Sequence, residues 1–302
     1  MKKQAGFTLI ELMISIGLGL IIVASALMLF LSGQRNVAMQ KSAADLQDDQ
    51  NFGLNYIAKN IRNANLNSPS ASLNNASQFS GIVFSKANLS SSLTGLPTDF
   101  NAKFITANIS THTSNMRSKI NTTYTDAVND QLVIQYRPTQ AGGYDCEGNL
   151  INSSYVVERY FVRTDANGGG TAAERSALAC AASQYESSDT DLEAVATDGI
   201  YGSGQIIMKR VDLFRVRFLV DGKRYMTVAE YNTSVAKPRI LAVQLGIIAR
   251  ALDGSGERSI STTQEFSLLG QTFTQKTTFP NRYLRTPIMQ TVALRNALGD
   301  RS

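Results

Sequence analysis

Residues 7–31 read FTLIELMISIGLGLIIVASALMLFL, a run whose only ionisable side chain is Glu11. As a helix this run is about 37 Å long at 1.5 Å rise per residue, enough to cross a bilayer core of about 30 Å. The chain is thereby committed to an N-terminal helix that lipid or other apolar helices must cover. A carboxylate inside such a span costs on the order of 3 kcal/mol and needs a partner. No cationic side chain lies within the run, so the neutralising group is expected from outside it.

The helical pattern continues beyond Leu31 with a different character. Residues 33–65 contain no proline, and apolar side chains recur at Val37, Ala43, Leu46, Leu54, Ile57, Ile61 and Ala64, mostly three, four or seven apart. Arg35, Lys41, Asp45, Asp48, Asp49, Lys59 and Arg62 fill the other faces, so this half predicts an amphipathic helix with one face on a globular domain. A single spine from Phe7 to about Ala64 spans roughly 87 Å. Gly17, Gly19, Gly33 and Gly53 are the places where it can bend, each costing about 1 kcal/mol relative to alanine.

The chain beyond the spine is long enough for one large domain or two small ones. The formal charge of +5 is too small to argue for nucleic-acid binding by itself. With His112 as the sole histidine, neither a Ser/His/Asp set nor a histidine metal cluster can be assembled. No catalytic, cofactor-binding or metal-binding residue is therefore assigned, and the chain is not read as an enzyme. Cys146 and Cys180 are the only cysteines. In an extracytoplasmic domain they are expected to pair, closing a loop of about 35 residues worth roughly 3 to 4 kcal/mol. A metal site would lack further ligands, and a reactive thiol would have only His112 as a base.

The segment 65–129 is rich in Ser, Thr and Asn, with short apolar runs at Gly81–Phe84 and Phe104–Ile105 that read as strands between long loops. Clearer strands are predicted at Leu132–Tyr136 and Tyr155–Val162, separated and followed by the glycine pairs and triplets at 142–143 and 168–170. Asp165 and Asn167 give a faint calcium-loop pattern without its glycine and closing acid, so the segment is read as a loop. Alternation from Phe214 to Val220, with arginines on the opposite face, predicts a half-buried strand, and Asp221–Gly222 a hairpin to Tyr225. Arg239–Ala249 is apolar on both faces and is expected at the centre of the sheet under the spine, with 271–279 and 289–294 completing it.

Two sets of residues carry a family resemblance. Met1–Gly6, with Lys2 and Lys3, followed by Phe7, Glu11 and the unbroken apolar run, resembles the processing site of class III (type IV) prepilins. The resemblance implies a leader at 1–6, cleavage between Gly6 and Phe7 by a prepilin peptidase, and N-methylation of Phe7. It also implies that Glu11 docks against the N-terminal amine of a neighbouring subunit. Phe7 and Glu11, four apart, share a helix face.

The strand from Asp212 to Val220, Arg239–Val243 leading to Ala249–Arg250, and the ending Arg282–Arg285 through Thr291–Asn296 resemble PilW-type minor pilins. That implies an α+β pilin fold, with a spine helix at 7–66 (membrane-spanning over 7–31) packed on an antiparallel β-sheet domain at 67–302. It implies a single pass through the inner membrane with the N-terminus cytoplasmic and the domain periplasmic, then a place at the pilus tip or cell surface. The implied role is priming assembly with other minor pilins, the major pilin and a tip adhesin, in a pilus serving twitching motility, adhesion or natural transformation. Many major pilins carry a proline inside the anchor helix, and this one has none. Two alternatives stand beside this reading. One is a type II secretion pseudopilin; the other is a DNA-uptake pilus subunit touching DNA through Arg282, Arg285, Arg295 and Arg301.

Overall fold

The computed structural model describes residues 6, 8–70, 73–74, 76–140, 142–192, 198–222, 224–254, 264–279 and 283–297. Helix α1 runs unbroken from Leu9 to Ile61, 53 residues, through all four glycines. It ends at Ile61, a little before Ala64, and the chain then turns through Asn65 and Asn67 in left-handed backbone (φ 63° and 50°), a conformation asparagine tolerates. Asn65 then ties the exit down: its N–H donates to the Gln135 carbonyl (3.1 Å) and its Oδ1 accepts from Gly81 N (3.0 Å). A Cβ at Gly81 would collide with the Asn65 backbone, so this position requires glycine.

Eleven strands come after it among the described residues: β1 (Ala107–Ile120), β2 (Thr123–Tyr136), β3 (Tyr155–Thr164), β4 (Ser176–Tyr185), β5 (Gln205–Lys209), β6 (Val211–Val220), β7 (Arg224–Thr227), β8 (Ile240–Gly254), β9 (Glu265–Leu268), β10 (Gln271–Gln275) and β11 (Tyr283–Ala293). They form two antiparallel sheets, not the single sheet expected. The larger has the order β5-β4-β3-β2-β1-β10-β9 and the smaller β11-β8-β6-β7. The expected strand at 289–294 is part of β11, and that at 271–279 stops at Gln275. Gly81–Phe84 contributes one bridge, Ile82 to Ile134, and Phe104–Ile105 no strand; Val83, Phe104 and Ile105 are buried in a second cluster, while Ile82 and Phe84 join the main core. Pro287, which lacks an N–H, sits in β11 at a sheet edge, where no ladder bond is lost to a neighbour.

The main core joins α1 to both sheets. Leu46, Leu54, Ile57, Ala58 and Ile61 pack with Leu132, Tyr160 and Leu178 from the large sheet and with Phe214, Val216, Val243 and Ile247 from the small one. As expected from its two apolar faces, β8 is an interior strand lying under the spine. The seam between the sheets is made by side chains. Strand β7 pairs β6 only over Arg217–Val220. The earlier β6 amides are taken up by β2 side chains: Phe214 N donates to Asn129 Oδ1 (3.0 Å) and Val216 N to Asp130 Oδ2 (2.7 Å). These bonds stand in for a missing strand at the seam.

Candidate functional site

The site is built from what α1 does at its two ends. At the start, Thr8 is the N-cap in extended backbone (φ −79°, ψ 152°), and Glu11 completes a capping box. Thr8 Oγ1 accepts from Glu11 N (3.3 Å), while Glu11 Oε2 accepts from Thr8 N and Thr8 Oγ1 (2.9 Å each). Sequence reasoning placed the partner of Glu11 outside the span; Thr8 supplies neutral donors to one oxygen, and the negative charge stays without a cation among the described residues. Gly6 is exposed, and Phe7 lies outside the described residues.

Above that cap the helix is bare. Large apolar side chains from Leu9 to Leu31 are 52% to 78% exposed. The hydroxyls of Ser15 and Ser25 donate to the carbonyls of Glu11 (2.7 Å) and Ile21 (2.8 Å), so they present no unmet donor to an apolar surrounding. A surface so large and apolar is a membrane or protein contact.

Burial of the helix begins at Ser42, and from there to Ile61 it is held by polar ties as well as by the core. Asp49 Oδ2 accepts from Arg210 Nη2 (2.9 Å), and Gln50 Nε2 donates to the Thr286 carbonyl (2.9 Å). Tyr56 Oη donates to the Cys146 carbonyl (2.8 Å), Asn60 Nδ2 donates to Tyr160 Oη (3.0 Å), and Asn296 Nδ2 donates to the Arg62 carbonyl (2.8 Å). A Cβ at Gly53 would run into Met208 of β5, so helix and sheet touch there with no room to spare. The second half of the helix is thus packed into the domain.

Cys146 and Cys180 are bonded, with Cα atoms 6.2 Å apart. The bond ties the 142–151 loop to β4 directly beside the Tyr56 contact. Under it lies Glu158, fully buried with three neutral donors: Tyr136 Oη (3.1 Å), Cys146 N (3.0 Å) and Tyr160 Oη (2.6 Å). Burial pushes its carboxyl up to about 7, with the tyrosine hydrogen bonds pulling the other way. Both sulfurs near this carboxylate are used in the disulfide. Sequence reasoning missed this network; the signal was an acid inside the β-branched and aromatic run Tyr155–Val162.

Of the four tail arginines read as a DNA or partner contact, Arg285 must be withdrawn from any exposed patch. Its side chain is 1% exposed, its Nε donates to Asp212 Oδ2 (2.7 Å), and its Nη1 donates to Gln275 Oε1 (2.8 Å). Arg250 pairs with the other oxygen of the same carboxylate, and Asn115 Nδ2 adds a bond to it (2.7 Å). The Phe279 ring stands 5.1 Å from each guanidinium. The tail arginines as a cluster suggest a solvated or partner-facing patch, but the strand places Arg285 in the seam between sheets. Arg295 is exposed, whereas Arg282 and Arg301 lie outside the described residues. His112 is half-buried, its Nδ1 3.3 Å from Thr164 Oγ1, and burial pushes its pKa down. Asp165 Oδ1 caps Asn167 N (3.0 Å) within its loop.

Comparison with known proteins agrees with this arrangement at both ends of the chain. Residues 1–27 match the prokaryotic N-terminal methylation motif, and residues 159–296 match PilW, the type IV pilus-assembly protein W family. No curated protein matches. Among solved structures, the type IV-like pilin TTHA1219 from Thermus thermophilus matches with 14% identity and a TM-score of 0.32, over 68% of this chain and 95% of that one. The methylation motif covers the capped, bare start of α1, and the PilW match covers the two-sheet body from β3 to β11 that anchors its other half. Together the two matches make the chain similar at residues 1–27 to class III prepilins and over residues 159–296 to the type IV pilus-assembly protein W family.

Proposed function

We propose that the chain is a minor pilin that primes assembly of a type IV pilus and sits at or near its tip, in contact with other minor pilins, the major pilin and a tip adhesin. The observation that carries this reading is the division of α1: an apolar first half bare of any intrachain cover, and a second half locked to a body of two sheets. The bare half suits the inner membrane before assembly, with the body periplasmic, and packing among other spines afterwards. Cleavage by a prepilin peptidase between Gly6 and Phe7 then frees the amine that Phe7 carries, methylated, into the complex. Glu11 is the group that receives the amine of a neighbour. Because Thr8 satisfies only one of its oxygens, the carboxylate gains most when a cation arrives in a surrounding of low dielectric.

The bulk of the body favours the tip over the shaft, where every subunit would crowd the next. Deleting the gene is expected to lower the number of surface pili far more than their length or diameter. In sheared fibres the protein is expected at a small fraction of the major pilin; a near-equal ratio contradicts a tip location. Glu11→Ala is expected to insert into the membrane normally and to be depleted from the minor-pilin complex, and undiminished incorporation would remove the docking role. Direct contact with DNA has lost Arg285 to the seam, and no observation favours a secretion pseudopilin over a pilus subunit.

A further inference from the structure

A cavity of about 410 Å³ opens where the β3–β4 loop, the β5–β6 turn, the end of β8 and the start of β11 converge. Its volume falls in the range of about 300–1,000 Å³ typical of small-molecule sites. Six ionisable side chains of the Asp/Glu/Lys/Arg type face it: Asp165, Glu174, Arg175, Lys209, Arg210 and Arg250. Both acids are engaged. Asp165 Oδ1 accepts from Asn167 N (3.0 Å), and Glu174 accepts from Thr171 N (2.9 Å), Thr171 Oγ1 (3.1 Å) and Tyr283 Oη (3.1 Å). Two of the cations are engaged as well, Arg210 with Asp49 of α1 and Arg250 with Asp212.

Arg175 pairs with no carboxylate among the described residues, and Lys209 has only a long pair with Asp165. Arg175 Nη1 donates only to the backbone carbonyls of Asp165 (3.1 Å) and Ala166 (3.5 Å), and its Nε is buried with no acceptor among the described residues. Lys209 lies 3.8 Å from Asp165 Oδ2, with its side chain 61% exposed. The glycine loop shapes the wall beside them. A Cβ at Gly168 would stand 3.1 Å from Arg175 Cγ, and Gly170 has φ +91°, so the arginine stem lies along a backbone with no side chains in the way.

We propose that this cavity binds a small organic oxyanion, a carboxylate or phosphate ester about the size of a monosaccharide. Arg175 contributes a planar donor edge and Lys209 a mobile point charge. Asp49 marks the height of the cavity along the spine, about 27 Å past Leu31 at helical rise, which sets it beyond the head groups of a membrane holding the apolar span. The ligand is therefore a free molecule and not a lipid.

The test is calorimetric titration of the full-length protein in neutral detergent, at fixed ionic strength, with glucose 6-phosphate and with glucuronate. At least one probe is expected to bind. Arg175→Gln and Lys209→Gln are each expected to weaken it about tenfold or more, as the loss of a charge-assisted hydrogen bond requires. Arg35→Gln, on the bare part of the spine, is expected to leave it unchanged. Lys209 is largely exposed and its ion pair with Asp165 is long, so its variant reports on binding even where Arg175→Gln misfolds. No heat from either probe up to about 10 mM, or binding that survives both cavity substitutions, overturns the proposal. So does retention on phosphatidylglycerol vesicles that requires Arg175, or a defect of Arg175→Gln confined to subunit incorporation.

Discussion

Replacing Asp212 by Asn tests the electrostatics of the seam between the sheets. The wild-type cluster holds two arginines against one carboxylate, with side-chain exposures of 0% for Asp212, 2% for Arg250 and 1% for Arg285. Removing the anion leaves two buried cations facing each other, and breaking even one buried pair in this way costs about 3–5 kcal/mol. Against a total stability of about 5–15 kcal/mol, that is a large fraction. At about 2–4 °C per kcal/mol for a domain of this size, the expected fall in Tm is about 6–20 °C. Arg285→Met should cost less, because it removes the surplus cation and leaves Arg250 with a carboxylate of its own. Burial already pushes the Arg285 guanidinium down, against the pull of Asp212, so its charge is held at a cost. Thermal unfolding of the full-length protein in detergent, followed by near-ultraviolet circular dichroism, measures all three forms. A loss under about 1 kcal/mol for Asp212→Asn, or a greater loss for Arg285→Met, would refute the reasoning.

Two further substitutions probe the anchorage of the spine. Glu158 titrates in the folded state at about 7 against an ordinary value of 4.5, so the folded form holds the extra proton between them. The contribution of this group to stability is therefore fully present below pH 4.5 and is lost as pH rises through 7, an amount on the order of 3 kcal/mol. Asp130, raised to about 6 by burial against the pull of Arg215, adds a slope of the same sign. Glu158→Gln should flatten the difference between pH 5 and pH 8 in urea unfolding; an unchanged slope assigns the proton elsewhere. Cys146→Ser should lower stability by about 3–4 kcal/mol, the loop-closure contribution, and equal unfolding midpoints for wild type with and without reductant would show the bond to be idle.

How much of this was legible in the sequence depends on how far each residue's partners lie. The spine was legible because helical periodicity is local: the apolar run, the alternation of Leu54, Ile57 and Ile61, and the absence of proline all sit within one element. The hairpin at Asp221–Gly222 and the interior position of β8 were legible for the same reason. Strand β4, Ser176–Tyr185, was not. Its alanines have weak strand preference, yet all ten residues are buried because the strand lies between β3 and β5 with both faces covered. Strand β1 hid in a polar, half-exposed segment whose register shifts twice against β2. The division into two sheets depends on Asn129 and Asp130 serving β6 amides some 85 residues away, which no local pattern announces. Reading Arg285 as solvated follows the general rule for arginine. The rule fails here because its counter-charge, Asp212, is 73 residues away in sequence.

The central claim is that the first residues are processed as a prepilin and that the bare helix then enters an assembly. The most direct measurement is the mass of the N-terminal peptide of the protein taken from sheared pili and from the inner membrane. The account predicts a chain beginning at Phe7 and bearing an N-methyl group, with Lys2 and Lys3 absent. A chain that still begins at Met1, or one cut after Ala24 beyond the apolar core, would contradict it.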